Sequence, residues 1–162
     1  MLWTQALMRE VALEERAGLG LGATDPFAPY ALAEEHGIAV YTLSDLLGFG
    51  IGTEAFSHFT SSSSSAWSAA LVPLGTARVI VENESHAMVR RRSNTAHELG
   101  HHLLEHPFDD VIFGEDHKRQ FNEQQEKQAA FGRRAADPAC RSGAHGVRRL
   151  GQHACRGGVR GE

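Results

Sequence analysis

The HExxH pattern at residues 97–101 constrains this chain more than any other feature of its sequence. Residues four apart lie on the same face of an α-helix, so His97 and His101 can present two imidazoles to one metal ion. Glu98 lies beside them, where a carboxylate can act as general base on a metal-bound water. The pattern therefore predicts a helix that carries a zinc site.

The residues around this pattern favour a buried helix over a chance match. The polar cluster Ser93-Asn94-Thr95 is suited to capping a helix N-terminus, and Leu103-Leu104 supplies apolar side chains after the pattern. The chain has 10 histidines, so a solvated, histidine-rich helix is the alternative interpretation.

The length and composition are those of a single globular domain. The chain has 162 residues, of which 41% are hydrophobic and 22% are charged. Its acidic, amphipathic N-terminus lacks the basic segment and cleavage site of a secretory signal, and we expect a cytoplasmic protein without a membrane span. Only two cysteines occur, Cys140 and Cys155, which do not make a disulfide framework.

The predicted elements follow the order of an α+β fold. Hydrophobic periodicity and the Gly and Pro positions set their bounds. The predicted helices cover residues 4–17, 25–36, 43–47, the HExxH segment and 119–131, and the predicted strands cover 38–41, 67–72 and 78–82. Residues 73–76 predict a hairpin turn, and the serine-rich run at 60–65 predicts a solvated loop. N-terminal helices, a small sheet, the HExxH helix and a further helix together make an α+β plan.

A catalytic zinc site needs a third protein ligand and one open position. On a continuous helix His102 is turned by about 100° from His101, and His106 by about 140°, so neither shares the metal face. A histidine at the metzincin spacing HExxHxxGxxH would fall at position 107, which is proline. We therefore expect His102 and His106 to be exposed or to lie in an outer layer around the metal.

A carboxylate from the helix predicted at 119–131 is the remaining source of a third ligand. This helix offers Glu123 and Glu126, which are three apart and can lie near one face. The residues alone leave both open, and an ordinary surface acid is the commoner role for either one.

The chain resembles a known family, the ImmA/IrrE metallo-endopeptidases of bacteria and phages. The resemblance rests on NTAHELGHHLLEH, on the strand before it, and on EKQAAF after an acidic stretch, and it spans roughly residues 25–131. It implies a zincin-like α+β fold of the minigluzincin type, in which the helix after HExxH carries a Glu-x-x-Ala pattern. The roles that it implies are the zinc ligands His97, His101 and Glu126, the base Glu98, and Glu123 as a fallback third ligand.

The resemblance also implies a substrate class. Substrates of the family are typically transcriptional repressors, so the expected partner is a protein of the helix-turn-helix type. From the sequence itself we expect neither direct nucleic-acid binding nor membrane attachment. We expect the substrate to lie extended along an edge strand at residues 78–82. Two alternatives stay open, a catalytically impaired remnant and a non-hydrolytic protein-binding regulator with the same fold, and the oligomeric state is not predicted.

The composition changes after Phe131. Up to that residue the chain carries 9 basic and 18 acidic residues, and from Gly132 onward it carries 7 arginines and 2 acids. In the family that the chain resembles, the Glu-x-x-Ala helix continues at this point with an apolar segment that ends in Leu-Leu-x-Pro. A possible codon sequence for residues 132–138, read without its first base, encodes Ala-Gly-Glu-Leu-Leu-Ile-Pro. That peptide is the continuation that the resemblance implies. We therefore predict a peptidase domain at 1–131 and a disordered, out-of-frame tail at 132–162, which the nucleotide sequence around codon 131 tests.

Overall fold

The computed structural model describes residues 3–22, 24–62, 64–65, 67–106 and 123–136. In chain order its elements are α1 (Gln5–Gly18), α2 (Pro29–Glu35), β1 (Ala39–Thr42), α3 (Leu43–Gly48), α4 (Thr53–Ser57), a π-helical turn (His58–Ser62), β2 (Ala69–Leu74), β3 (Ala77–Glu82), α5 (Met88–Leu103) and α6 (Glu123–Ala136). The predicted α+β class is confirmed. Within these residues no helix combines the length and the apolar character needed to cross a membrane.

Among the described residues the sheet has three strands in the order β1-β3-β2. Strand β1 runs parallel to β3, and β2 runs antiparallel to it through a hairpin in which Gly75 has a φ of +60°. The expectation that residues 78–82 form the edge strand for a substrate is wrong, because β3 is paired on both sides. Among the described strands, the free edges belong to β1 and β2.

One apolar cluster lies between the sheet and the helices α1, α2 and α5. Its fully buried side chains include Leu32, Leu71, Ile80 and Leu99. Each such side chain contributes about 1.5–3 kcal/mol of stability through its burial. Because Leu99 lies within the HExxH pattern, its burial fixes how α5 is rotated about its own axis and therefore where the histidines point.

Side-chain hydrogen bonds explain where α1 and α2 begin. The Thr4 hydroxyl accepts a hydrogen bond from the Leu7 amide at 3.3 Å and caps α1, close to the predicted start. Helix α2 begins at Pro29 and not at the predicted Asp25. The Asp25 carbonyl instead accepts a hydrogen bond at 2.8 Å from the buried Arg16 guanidinium, which holds this segment in a turn. Gly37, with a φ of +65°, ends α2 as predicted.

Helix α5 begins at Met88, one and a half turns before the polar cluster predicted as its cap. Thr95 is therefore inside the helix and fully buried, and its hydroxyl donates to a Glu82 carboxylate oxygen at 3.2 Å. The Arg91 guanidinium, on the same helix, pairs with the other oxygen of this buried carboxylate. These polar side chains tie α5 to the end of β3 instead of capping a helix.

The serine-rich run predicted as a loop begins as the π-helical turn and is held by one buried side chain. Asn83 is fully buried, and its Nδ2 donates to the carbonyl oxygens of Phe59 at 2.8 Å, Trp67 at 3.2 Å and, inside the run, Ser64 at 3.4 Å. Its Oδ1 accepts from the Ser85 amide at 3.1 Å. The run is therefore anchored to the end of the central strand.

Helix α6 packs against α5 and α1 and continues past the predicted boundary at Phe131 to Ala136. The rest of the predicted tail, including both cysteines, lies outside the described residues, as does the acidic stretch at 107–122.

Candidate metal centre

Helices α5 and α6 bring two histidines and one carboxylate to a single point. His97 Nε2 lies 3.0 Å from Glu126 Oε2, His101 Nε2 lies 3.2 Å from Glu126 Oε1, and the two Nε2 atoms are 3.2 Å apart. All of these atoms lie within 4.8 Å of one another, so the three side chains form a group that could hold a metal ion. They are the three residues predicted as ligands.

The other candidate carboxylate, Glu123, does not join this group. It lies one turn before Glu126 on α6, is largely exposed, and forms an ion pair with Lys127 at 2.6 Å. The structure therefore brings Glu126, and not Glu123, to the two histidines.

The charge of this cluster suits a cation. Hydrogen bonds from His101 and His97 hold the pKa of the Glu126 carboxyl well below its usual range, although partial burial acts in the opposite direction. The carboxylate is therefore ionised at neutral pH. The side chains of His97, His101 and Glu126 keep 20%, 15% and 31% of their surface exposed, so solvent reaches the cluster.

The position of Glu126 depends on a close approach of the two helices. A Cβ added to Gly100 would lie 3.0 Å from the Ala129 carbonyl oxygen and 3.1 Å from its Cα. Ala129 is completely buried at this contact and lies one helical turn after Glu126. The small residues of the HELGH and Glu-x-x-Ala segments therefore let α6 come near enough for its carboxylate to reach both imidazoles.

Glu98, the predicted base, lies beside the cluster and not within it. Its side chain is 8% exposed, and Oε2 accepts a hydrogen bond from the Leu71 amide at 2.9 Å. Leu71 on β2 is the register partner of Ile80 on β3, but its N–H points to Glu98 and not to β3. The backbone polar groups of Leu71 therefore face the free edge of the sheet. Pro73, two residues later, has no N–H to offer and fits the same outward side. The free edge of β2 therefore runs past the Glu98 carboxylate.

His102 points away from the group formed by His97, His101 and Glu126, as its angle on the helix predicts. Its Nδ1 lies 2.9 Å from a guanidinium nitrogen of Arg78, and its ring makes an edge contact with His36 at 5.2 Å between centroids. Burial, with Arg78 as a further cause, lowers the pKa of this imidazole. His102 belongs to a separate polar cavity next to β3.

His106 lies in the outer layer around the cluster, as expected. It reaches this place through a reversal of the chain after α5, and not through its angle on a continuous helix. Helix α5 ends before it, and Glu105 adopts a left-handed conformation with a φ of 51°. The His106 amide donates to the His101 carbonyl at 3.1 Å, and the Glu105 amide donates to the His102 carbonyl at 3.0 Å. This pair of bonds is a Schellman motif, which folds His106 back beside His101. Burial lowers the pKa of the His106 imidazole.

Sequence reasoning misses three groups at this site: the Leu71 amide, Gly100 and Gln128. A backbone amide leaves no trace in a sequence, and Gln128 is an ordinary helix residue. Gly100 does carry a signal, because a glycine inside a helix costs about 1 kcal/mol relative to alanine and therefore suggests a close contact.

Comparison with known families agrees with this geometry. The family model of the IrrE N-terminal-like domain, peptidase family M78, matches residues 33–135. The matched range includes the whole sheet, α5 and the metal-facing turns of α6, and hence every group of the site. No curated protein matches the chain, and no solved structure matches it.

Proposed function

Because the chain belongs to the IrrE N-terminal-like family of peptidases, whose model covers more than half of it, we propose that it is a zinc-dependent metallo-endopeptidase. The observation that carries this proposal is the convergence of His97, His101 and Glu126 within 4.8 Å. The predicted fold of the zincin-like, minigluzincin type is consistent with this family.

The donor set supports zinc over the harder cations. Two imidazole nitrogens and one carboxylate are a common ligand set of catalytic zinc, which keeps its fourth position open. Calcium and magnesium prefer sites built from oxygen atoms alone. His97, His101 and Glu126 would hold the ion, and the solvent-accessible side of the cluster leaves room for water and substrate.

The chemistry needs a Lewis acid and a base, and this site has a place for each. When bound by these residues, zinc would supply a Lewis acid that polarises a carbonyl group and makes water nucleophilic at neutral pH. Glu98 takes the proton of the attacking water and delivers it to the amine that leaves when the peptide bond breaks. The Leu71 amide holds one oxygen of this carboxylate at 2.9 Å and so fixes its orientation.

The substrate of this proposal is a protein segment bound in extended form. The outward-facing backbone of β2 runs past Glu98, so a peptide pairing with β2 would bring its scissile bond to the base. We take a helix-turn-helix repressor as the substrate class, on the strength of the family resemblance alone. A repressor substrate also places the protein in the cytoplasm.

Cleavage of such a repressor tests this proposal. The zinc-loaded full chain is incubated with purified helix-turn-helix repressors encoded beside its gene, and the fragments are measured by mass spectrometry. We expect cleavage by the unchanged protein and by Glu123→Gln, and none by Glu98→Gln, which should still bind zinc. Zinc binding without any cleavage would support the impaired or non-hydrolytic alternatives, and a chain that binds no zinc would contradict the site itself.

A further inference from the structure

We propose that His106 is a positioning residue for the metal ligand His101, and that Gln128 completes the hydrogen-bonded chain that holds it. This inference rests on the proposed function, because it assigns an outer layer to the same metal site. It concerns the nitrogen of His101 that does not face the metal.

The contacts form an unbroken line from α5 to α6. His101 Nδ1 lies 2.9 Å from His106 Nδ1, and His106 Nε2 lies 2.9 Å from Gln128 Oε1. His106 is 6% exposed, so water does not readily replace these partners. The backbone makes the arrangement local, because the Schellman bonds place His106 against the turn that carries His101.

The positions of the protons follow from the last acceptor. Gln128 presents a carbonyl oxygen, which accepts a hydrogen bond from His106 Nε2–H. The Nδ1 atom of His106 therefore carries a lone pair and accepts from His101 Nδ1–H. When a metal ion takes the place of the hydrogen bond between His101 and Glu126, that tautomer leaves a lone pair for the ion on His101 Nε2, the atom that points to His97 and Glu126. Metal-binding histidines are commonly fixed in this way by a partner on the second nitrogen.

The same chain of hydrogen bonds connects the two helices that carry the ligands. His101 lies on α5, and Gln128 lies on α6 two residues after Glu126. His106 therefore does more than orient one imidazole, because its second nitrogen also fixes the register of α6 near the carboxylate ligand.

Zinc affinity of matched variants tests this inference. His106→Leu removes the acceptor, and His106→Asn keeps an oxygen near the position of Nδ1. We expect His106→Leu to weaken zinc binding by about 10–100-fold, as loss of an outer-layer partner commonly does, and His106→Asn to restore most of the loss. Competition with a chromophoric chelator measures the affinity in the full chain. His102→Leu and His102→Asn are the matched controls and should bind zinc like the unchanged protein.

If His106→Leu fails to fold, a second pair of variants and a second measurement still test the inference. Gln128→Leu should weaken zinc binding, whereas Gln128→Glu, which keeps an acceptor oxygen, should not. In the zinc-loaded protein, nuclear magnetic resonance of ¹⁵N-labelled histidine should show a protected proton on His101 Nδ1 that is lost in His106→Leu and Gln128→Leu.

The outcomes separate this inference from the proposed function. It is overturned if His106→Leu and Gln128→Leu bind zinc as tightly as the unchanged protein, or if His106→Asn loses as much affinity as His106→Leu. A chain that binds zinc normally in every variant leaves the proposed function standing. An unchanged protein that binds no zinc overturns both.

Discussion

Replacing Gly100 by alanine should push the carboxylate ligand away from the imidazoles. The new Cβ would lie 3.0 Å from the Ala129 carbonyl oxygen and 3.1 Å from its Cα, and both are backbone atoms that no side-chain rotation can move. These contacts are tighter than the roughly 3.5–4.0 Å at which carbon contacts are most favourable, so α6 must retreat by a few tenths of an ångström. Ligand distances in a sound metal site lie within about 0.2 Å of their usual values, so this retreat should weaken the bond from Glu126 to the ion.

The size of the effect follows from the cost of overpacking. Extra atoms in a tight contact typically cost about 1–3 kcal/mol, and each 1.4 kcal/mol is a factor of about ten in affinity. We therefore expect Gly100→Ala to weaken zinc binding by about 10–100-fold. The gain of about 1 kcal/mol in helix propensity should keep the metal-free protein folded.

A matched substitution isolates the contact from the change in propensity. Gly18 also lies in a helix, at the end of α1, and a Cβ there meets no atom within 4 Å. Gly18→Ala should leave zinc affinity unchanged in the chelator competition. If Gly100→Ala binds zinc as tightly as Gly18→Ala, the helix contact does not position Glu126 and the reasoning is refuted.

Three further predictions concern stability. Asn83→Asp removes the amide that donates to three carbonyl oxygens and should lower the free energy of unfolding by about 1–3 kcal/mol in urea titrations; an unchanged midpoint would contradict the anchoring role. In the metal-free protein the pKa of Glu126 is lowered from its usual value of 4.5, so its ionised carboxylate stabilises the fold at pH values above 4.5. This stabilisation is lost as the pH falls below 4.5, so the difference in unfolding free energy between the unchanged protein and Glu126→Gln should shrink on acidification. A difference independent of pH would contradict this. Glu105→Gly relieves a φ of 51° and should raise the melting temperature, whereas Gly37→Ala at a φ of 65° should lower it; the opposite order would contradict the assigned turns.

The sequence predicts which three side chains converge better than it predicts their surroundings. His97 and His101 follow from the period of the helix alone, and the choice of Glu126 comes from the family resemblance. The start of α5 is missed because Thr95 and its polar neighbours resemble a cap, whereas Thr95 serves a buried carboxylate on β3. Tertiary contacts of this kind override local capping signals.

Two other differences have non-local causes. The order β1-β3-β2 places the last strand in the centre, and only pairing over many residues determines that order. A helical wheel turns His106 away from His101, whereas the chain reverses at Glu105, which adopts a conformation that glycine usually supplies, and brings His106 into the expected outer layer. Both differences bear on the proposals, since they move the proposed substrate position to β2 and bring a third histidine to His101.

Calorimetric zinc titration of the metal-free full chain tests the central claim most directly. We predict one zinc ion per chain, strong binding in Glu98→Gln and Glu123→Gln, and loss of binding in His97→Ala and Glu126→Ala. Zinc bound as tightly by Glu126→Ala as by the unchanged protein would contradict the site formed by α5 and α6.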